Sequence, residues 1–107
     1  MDYALSEQQQ AFQETAKRFA KDKLAPHYQK RAREHRIDRA MLKQMGALGL
    51  IGADLPEKYG GQGLDYLSYV SAVEEIARSD SSQAATLAAH NSLGIGPLYY
   101  YGTEEQK

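Results

Sequence analysis

The sequence predicts an all-α fold of five or six helices. Apolar residues recur at spacings of three and four along most of the chain, which is the period of an amphipathic helix. No alternation of apolar and polar residues extends beyond a few positions, so no strand is predicted. The 107 residues suit a single domain, 1–107, that is long enough to bury a core.

The composition is that of a globular domain with an uneven distribution of charge. The net charge is −1, yet residues 17–43 contain ten basic and three acidic residues. Such a span can bind nucleic acid or an anionic membrane, but no recognisable nucleic-acid module accompanies it. We therefore interpret it as a solvated helix face or a subunit contact, and expect no nucleic-acid partner.

The absence of certain residues excludes several classes of protein. There is no cysteine, which excludes disulfides, a thiol nucleophile and cysteine-based zinc sites. No apolar run reaches the length of about 18 residues that is typical of a membrane span. We expect a cytoplasmic protein or one of an organelle matrix.

The first three helices are predicted from capping residues and periodicity. Ser6 and Gln9 have the spacing of a capping box, and the helical period then runs over 5–24. Pro26 is expected to end or kink this helix, because proline lacks an amide donor. A polar, helix-permissive segment follows at 27–35. Asp38 can cap a third helix, whose predicted buried face is Leu42, Met45 and Leu48.

A glycine-rich segment interrupts the helices. Six glycines lie within eighteen residues: Gly46, Gly49, Gly52, Gly60, Gly61 and Gly63. Glycine permits positive φ and close approach of the backbone, so this density indicates a connection of fixed shape. The spacing of the glycines does not match a dinucleotide or P-loop motif.

The second half of the chain predicts two more helices and the start of another. Asp65 caps a helix with a predicted apolar side formed by Tyr66, Tyr69, Val70, Val73, Ile76 and Ala77. Asp80 precedes the next predicted helix, which consists of small residues over 83–93. Gly94, Gly96 and Pro97 then disturb the helical pattern.

The end of the sequence has the pattern of a helix start. Gly102 is a natural helix terminator, and Thr103 with Gln106 repeats the capping-box spacing. One turn of helix is not stable alone. We therefore expect that the sequence is part of a longer protein, cut at the start of its last helix.

No catalytic or metal-binding constellation is predicted within the chain. The spacing of the three histidines, His27, His35 and His90, forms no zinc motif. Glu74 and Glu75 point about 100° apart on a helix, which is poor geometry for an acid–base pair. Ser92 lies near His90 but lacks a nucleophile-elbow motif.

The helix of small residues is the most informative element. Ala85, Ala89 and Leu93 are spaced by four and share one face, and Thr86 and His90 flank it. Such a face either permits tight packing of another helix or forms a wall of an apolar pocket, with Thr86 and His90 as polar contacts.

Several stretches, taken together, carry a family resemblance. They are Leu5–Gln9, Phe19-Ala20, Leu24–Pro26, Met45–Leu50, Pro56–Asp65, Glu74–Arg78, His90–Gly94 and Tyr101–Lys107. In this order they resemble the N-terminal helical domain of the acyl-CoA dehydrogenases, over essentially the whole chain. The resemblance implies an orthogonal or up-down helix bundle.

The resemblance also implies a function for the parent protein. Members of this family are FAD enzymes, usually homotetramers, that remove two hydrogens from Cα and Cβ of an acyl-CoA thioester. The family places most flavin contacts in a middle β-domain and a C-terminal helical domain, and its catalytic carboxylate in the C-terminal domain. Both domains lie beyond Lys107. The resemblance thus implies no catalytic or cofactor-binding residue here, and an isolated fragment that is inactive and binds no FAD.

The role that the resemblance does place within this chain is substrate binding. By position, Ala85, Thr86, Ala89, His90 and Leu93 would line the acyl pocket. Two alternatives stay open: a related flavin oxidase or monooxygenase, and a free-standing helical module that binds a partner without catalysis.

Overall fold

The computed structural model describes residues 3–107, and this part of the chain is helical without any strand. The all-α prediction is confirmed. Its α-helices are α1 (Glu7–Phe19), α2 (Tyr28–Glu34), α3 (Arg39–Ala47), α4 (Tyr66–Ser79), α5 (Ser81–Ala89) and α6 (Gly96–Tyr101). π turns at Ala20–Leu24 and His90–Ile95 and a 3-10 turn at Ala25–His27 join some of these. When helices joined by π or 3-10 turns are counted as one, residues 3–107 contain four continuous helices, slightly fewer than the five or six predicted.

The starts of α1 and α4 are tied together by one glutamine. Gln9 forms the predicted capping box with Ser6, with its Oε1 accepting from the Ser6 amide at 2.8 Å. Its Nε2 donates to Asp65 Oδ2 at 2.8 Å, while Asp65 Oδ1 accepts from the Ser68 amide and caps α4. The hydrogen bonds from Ser68 and Gln9 hold the pKa of Asp65 below its ordinary value. The cap of one helix therefore also fixes the position of the other.

The first helix does not stop at Pro26. It passes through the π turn and then a 3-10 turn that carries Pro26 in its first positions, and the chain continues as α2. Proline is tolerated there because the first turn of a helix has amides without intrahelical acceptors. Pro26 thus changes the form of the helical chain without ending it.

The core lies where α4 is packed between α1 and α5. Buried apolar side chains from all three helices, the first π turn and the α3 region contact one another there. They are Ala16, Phe19, Ala20, Leu24, Met45, Leu50, Ala72, Ile76, Ala84 and Leu87.

Two predicted apolar faces are only partly buried. On α4, Tyr69 and Ile76 are buried and Val73 is half-buried, but Tyr66, Val70 and Ala77 are exposed. Because α4 has a neighbour on two sides, it buries a wider sector that includes small and polar residues: Ser68, Ser71, Ala72 and Glu75. In α3, Met45 is buried and Leu42 half-buried, whereas Leu48 is exposed because the helix ends one residue before it.

A buried ion pair connects α2 to the start of α5. Arg31 and Asp80 are only 7% and 3% exposed, and Nε and Nη2 of Arg31 each lie 2.8 Å from Asp80 Oδ2. Nη2 also donates to the Leu24 carbonyl at the end of the first π turn. Asp80 Oδ1 accepts from the Gln83 amide at 3.1 Å and so caps α5. One carboxylate oxygen of Asp80 therefore binds Arg31, and the other caps α5.

We expect Asp80→Asn to destabilise the fold by about 3 kcal/mol, because it leaves the Arg31 charge buried without a counter-ion. Asparagine still caps a helix, so the loss would report the ion pair and not the cap. The measurement is the free energy of unfolding from urea denaturation. Glu74→Gln is the control: it removes an exposed ion pair with Arg78 at 3.5 Å and should change stability by no more than about 0.5 kcal/mol. Equal effects of the two variants would contradict the role given to Asp80.

Candidate functional site

Helix α5 has one buried side and one open side. Gln83, Ala84 and Leu87 are buried towards the core. Ala85 and Ala89 lie on the other side and are exposed. This division follows from the spacing of four, which returns a side chain to nearly the same direction.

The structure places the five predicted substrate-binding residues on or beside this open side. His90 is exposed next to Ala89, and Leu93 is 76% exposed. Thr86 is half-buried, and its hydroxyl donates to the Ser82 carbonyl at 3.0 Å, which leaves its oxygen able to accept another bond. Leu93 lies in the π turn, where the wider helical turn rotates it out of line with Ala89. The five residues form an open surface.

The π turn that follows α5 is held by a side chain that sequence reasoning did not single out. Asn91 is buried; its Nδ2 donates to the Leu50 carbonyl at 3.1 Å and its Oδ1 accepts from the Gly52 amide at 2.9 Å. π turns are frequently found at functional sites. The available signal was the amide side chain of Asn91 near the end of a helix of small and apolar residues, because a buried amide requires hydrogen-bond partners.

Backbone hydrogen bonds within the glycine-rich segment hold it in a closed loop. The amides of Gly61 and Gly63 donate to the carbonyls of Pro56 and Leu55, at 3.2 and 2.9 Å. A Cβ on Gly61 would collide with the Leu55 carbonyl, so only glycine fits there. These amides hold the loop in one shape, as predicted for a fixed connection. Because they are engaged, they do not fit a phosphate or flavin cradle, and no residue of this chain is assigned to FAD.

A tyrosine joins the loop to the end of the chain. The Tyr59 hydroxyl donates to Glu104 Oε2 at 2.7 Å, and Lys58 Nζ lies 4.8 Å from the centre of the Tyr59 ring. The bond from Tyr59, with Lys107 and Lys58 nearby, lowers the pKa of Glu104. Interaction with Tyr59 and Glu104 raises the pKa of Lys58. This contact fixes the loop against the segment after α6.

The predicted capping box near Lys107 is confirmed. The Thr103 amide donates to Gln106 Oε1 at 2.9 Å, and the Gln106 amide donates to Thr103 Oγ1 at 3.2 Å. Residues 104–106 form a turn.

The remaining titratable candidates do not converge. His27 and His35 are exposed. Glu74 is exposed and pairs with Arg78, while Glu75 is buried, so the two carboxylates lie in different environments. Residues 3–107 contain no cluster of three or more histidine, aspartate or glutamate side chains able to hold a metal ion. No helix in that range has the length and apolar character that crossing a bilayer requires.

Comparison with known proteins gives one consistent family. Residues 6–107 match the family model described as "Acyl-CoA dehydrogenase, N-terminal domain". The whole chain is 45% identical to the probable acyl-CoA dehydrogenase YngJ of Bacillus subtilis (strain 168), of which it covers 28%. It is 42% identical over 103 residues to the mitochondrial short-chain specific acyl-CoA dehydrogenase of Homo sapiens, covering 96% of this chain and 25% of the human protein.

A solved structure extends this similarity to the fold. Butyryl-CoA dehydrogenase from Megasphaera elsdenii superimposes with a TM-score of 0.90 at 41% identity, over 99% of this chain and 28% of that chain. The sequence therefore spans about a quarter of the length of the relatives that it matches.

We expect Asn91→Ala to destabilise the fold by about 3 kcal/mol, because it leaves the Gly52 amide and the Leu50 carbonyl without their partner. Ser92→Ala is the matched control on the next residue: it removes an exposed hydroxyl that donates to the Ala88 carbonyl at 2.7 Å, and should cost no more than about 0.5 kcal/mol. Urea denaturation measures both. A loss for Asn91→Ala as small as that of the control would show that the two bonds do not hold the π turn.

Proposed function

We propose that this chain forms one wall of the acyl pocket in an FAD-dependent enzyme. The chain belongs to the acyl-CoA dehydrogenase family, through that family's N-terminal domain. The parent reaction is the removal of two hydrogens from Cα and Cβ of an acyl-CoA thioester. The protein is expected in the cytoplasm or an organelle matrix. FAD, bound elsewhere in the parent protein, would accept hydride from the substrate.

The open side of α5 is the observation that carries this proposal. Ala85 and Ala89 expose only methyl groups, and His90 lies beside them. The opposite side of α5 is packed into the core, so this apolar strip of Ala85, Ala89 and His90 lies on a fixed helix. A ligand pocket is typically apolar with a few polar groups, and this strip has that composition.

The residues of this chain bind and enclose the substrate in this proposal. The methyl groups would contact the acyl chain and exclude water, and the Thr86 oxygen and His90 would supply polar contacts. The small side chains leave room for a short, branched or cyclic acyl group; the human relative is named for short-chain substrates. The catalytic carboxylate is assigned to the remainder of the parent protein.

Exposed apolar side chains on two other helices support an assembly role. Tyr66, Leu67 and Val70 are exposed on α4, and Leu98, Tyr100 and Tyr101 are exposed on α6. Apolar area of this kind, when contiguous, marks a contact surface. We assign it to contacts with a β-domain and a C-terminal domain of the same protein and with other subunits of a homotetramer.

The test is Ala89→Phe in the full-length enzyme. A phenylalanine ring on the open side of α5 would fill space next to the acyl chain, so longer acyl groups should be disfavoured. We expect the ratio of kcat/KM for a short over a longer acyl-CoA to rise by about tenfold or more. Steady-state kinetics over a series of acyl-CoA lengths measures this ratio.

Ala11→Phe provides the control, because Ala11 is also an exposed alanine within a helix but lies on α1. It should leave the ratio unchanged. An unchanged ratio in Ala89→Phe would overturn the assignment of α5 as a pocket wall. Absence of acyl-CoA turnover in the wild-type enzyme would overturn the parent function.

A further inference from the structure

One hydrogen bond joins helix α4 to helix α5 where the two helices pack together. The hydroxyl of Tyr69, on α4, donates to the carbonyl of Ala88, near the end of α5, at 3.3 Å. Within residues 3–107 it is the only hydrogen bond between the residues of α4 and those of α5. Ala88 directly precedes Ala89, which carries one of the two exposed methyl groups of the open side. The bond therefore ends next to the surface to which we assign substrate contact.

The environment of Tyr69 keeps its hydroxyl able to donate this bond. The residue is only 5% exposed, whereas Tyr66, three residues earlier on the same helix, is 65% exposed. Burial raises the pKa of Tyr69, and interaction with the side chain of Asn91 partly offsets this effect. The hydroxyl thus keeps its proton, and it lies close to the residue that holds the π turn.

Apolar packing alone defines the position of α5 along α4 only loosely. The buried side of α5 consists of Gln83, Ala84 and Leu87, and of these only Leu87 has a large apolar side chain. Hydrophobic contact is non-directional, so such a side can slide or rotate against α4 at small cost. A hydrogen bond requires a defined distance and angle. Tyr69 therefore supplies a directional restraint that the small side chains do not.

The Ala88 carbonyl accepts a second hydrogen bond that acts differently. The Ser92 hydroxyl donates to it at 2.7 Å, from a residue four positions later in the same helical stretch. A bond of this kind is local and can bend a helix, but it does not connect the helix to a neighbour. Of the two donors, only Tyr69 fixes α5 relative to α4. The chain thus offers a matched pair of hydroxyl groups on one acceptor.

We propose that Tyr69 is a positioning residue for the acyl pocket. Its hydroxyl holds the Ala88 carbonyl, and with it the methyl group of Ala89 and the ring of His90, at a fixed distance from the acyl chain. Tyr69 itself touches no substrate in this arrangement, because its side chain is buried. The inference rests on the proposed function, since it takes the open side of α5 as a wall of that pocket. It adds a residue that sets how strictly the pocket discriminates between acyl groups.

The test is Tyr69→Phe in the full-length enzyme. The variant keeps the buried ring, and the Ala88 carbonyl keeps its bond from Ser92, so we expect a folded enzyme. Without the hydroxyl the end of α5 can move, and longer acyl groups should be rejected less strictly. We expect the ratio of kcat/KM for a short over a longer acyl-CoA to fall about fivefold, the factor that corresponds to one ordinary hydrogen bond. Steady-state kinetics over a series of acyl-CoA lengths measures this ratio.

Ser92→Ala is the matched control, because it removes the other hydroxyl from the same carbonyl. It should leave the ratio unchanged, since its bond lies within one helical stretch. An equal fall of the ratio in both variants would contradict a restraint between α4 and α5. A uniform loss of kcat/KM for every acyl group in Tyr69→Phe would show a merely structural role. Either result, or an unchanged ratio in Tyr69→Phe, would overturn the proposal.

A double variant separates this inference from the proposed function. Substitutions that act on one surface give non-additive effects, whereas independent sites add. With Ala89→Phe already present, the change that Tyr69→Phe causes in the ratio should therefore differ by about threefold or more from its change in the wild type. Additive effects would overturn the positioning role and leave the pocket wall intact. An unchanged ratio in Ala89→Phe alone would overturn the pocket wall, and this inference with it.

Discussion

The carboxylate of Asp80 is the constraint on which the candidate site depends. One oxygen caps α5, and the other binds Arg31, whose guanidinium also reaches the Leu24 carbonyl. The position of α5 is therefore set by a charge pair that must stay complete once it is buried. This fixes which side of α5 meets the core and which side is left open. A helix of small residues has little apolar bulk with which to fix its own rotation.

The other end of α5 is held in a comparable way. Asn91 bonds to the backbone on either side of Ile51, and the glycine loop beyond is closed by its own amides. The exposed methyl groups of Ala85 and Ala89 thus lie on a helix that is anchored by polar contacts at both ends. Binding surfaces on rigid elements keep their shape better than those on loops. This suits a wall whose contribution is shape and exclusion of water.

The exposed side of α4 shows why a periodic apolar pattern can be interpreted wrongly. Tyr66 and Val70 follow the helical period and belong to the predicted apolar side, yet they are exposed. Periodicity reports that a side of a helix avoids water, and a core and an assembly contact satisfy it equally. Glu75 is buried in their place because α4 has helices on two sides. The sequence pattern contains no information on the number of neighbours.

The sequence by itself determined the all-α class and the helix starts at Ser6, Asp65 and Asp80, because a cap and the amide that it binds are only three residues apart. The family resemblance likewise rests on local motifs. The tertiary structure alone decided the pairing of Arg31 with Asp80, 49 residues apart, and of Asn91 with Gly52, 39 residues apart. It also decided the burial of the Gln83 amide. Such contacts depend on which helices pack together, and only the packed fold brings the distant polar groups into range.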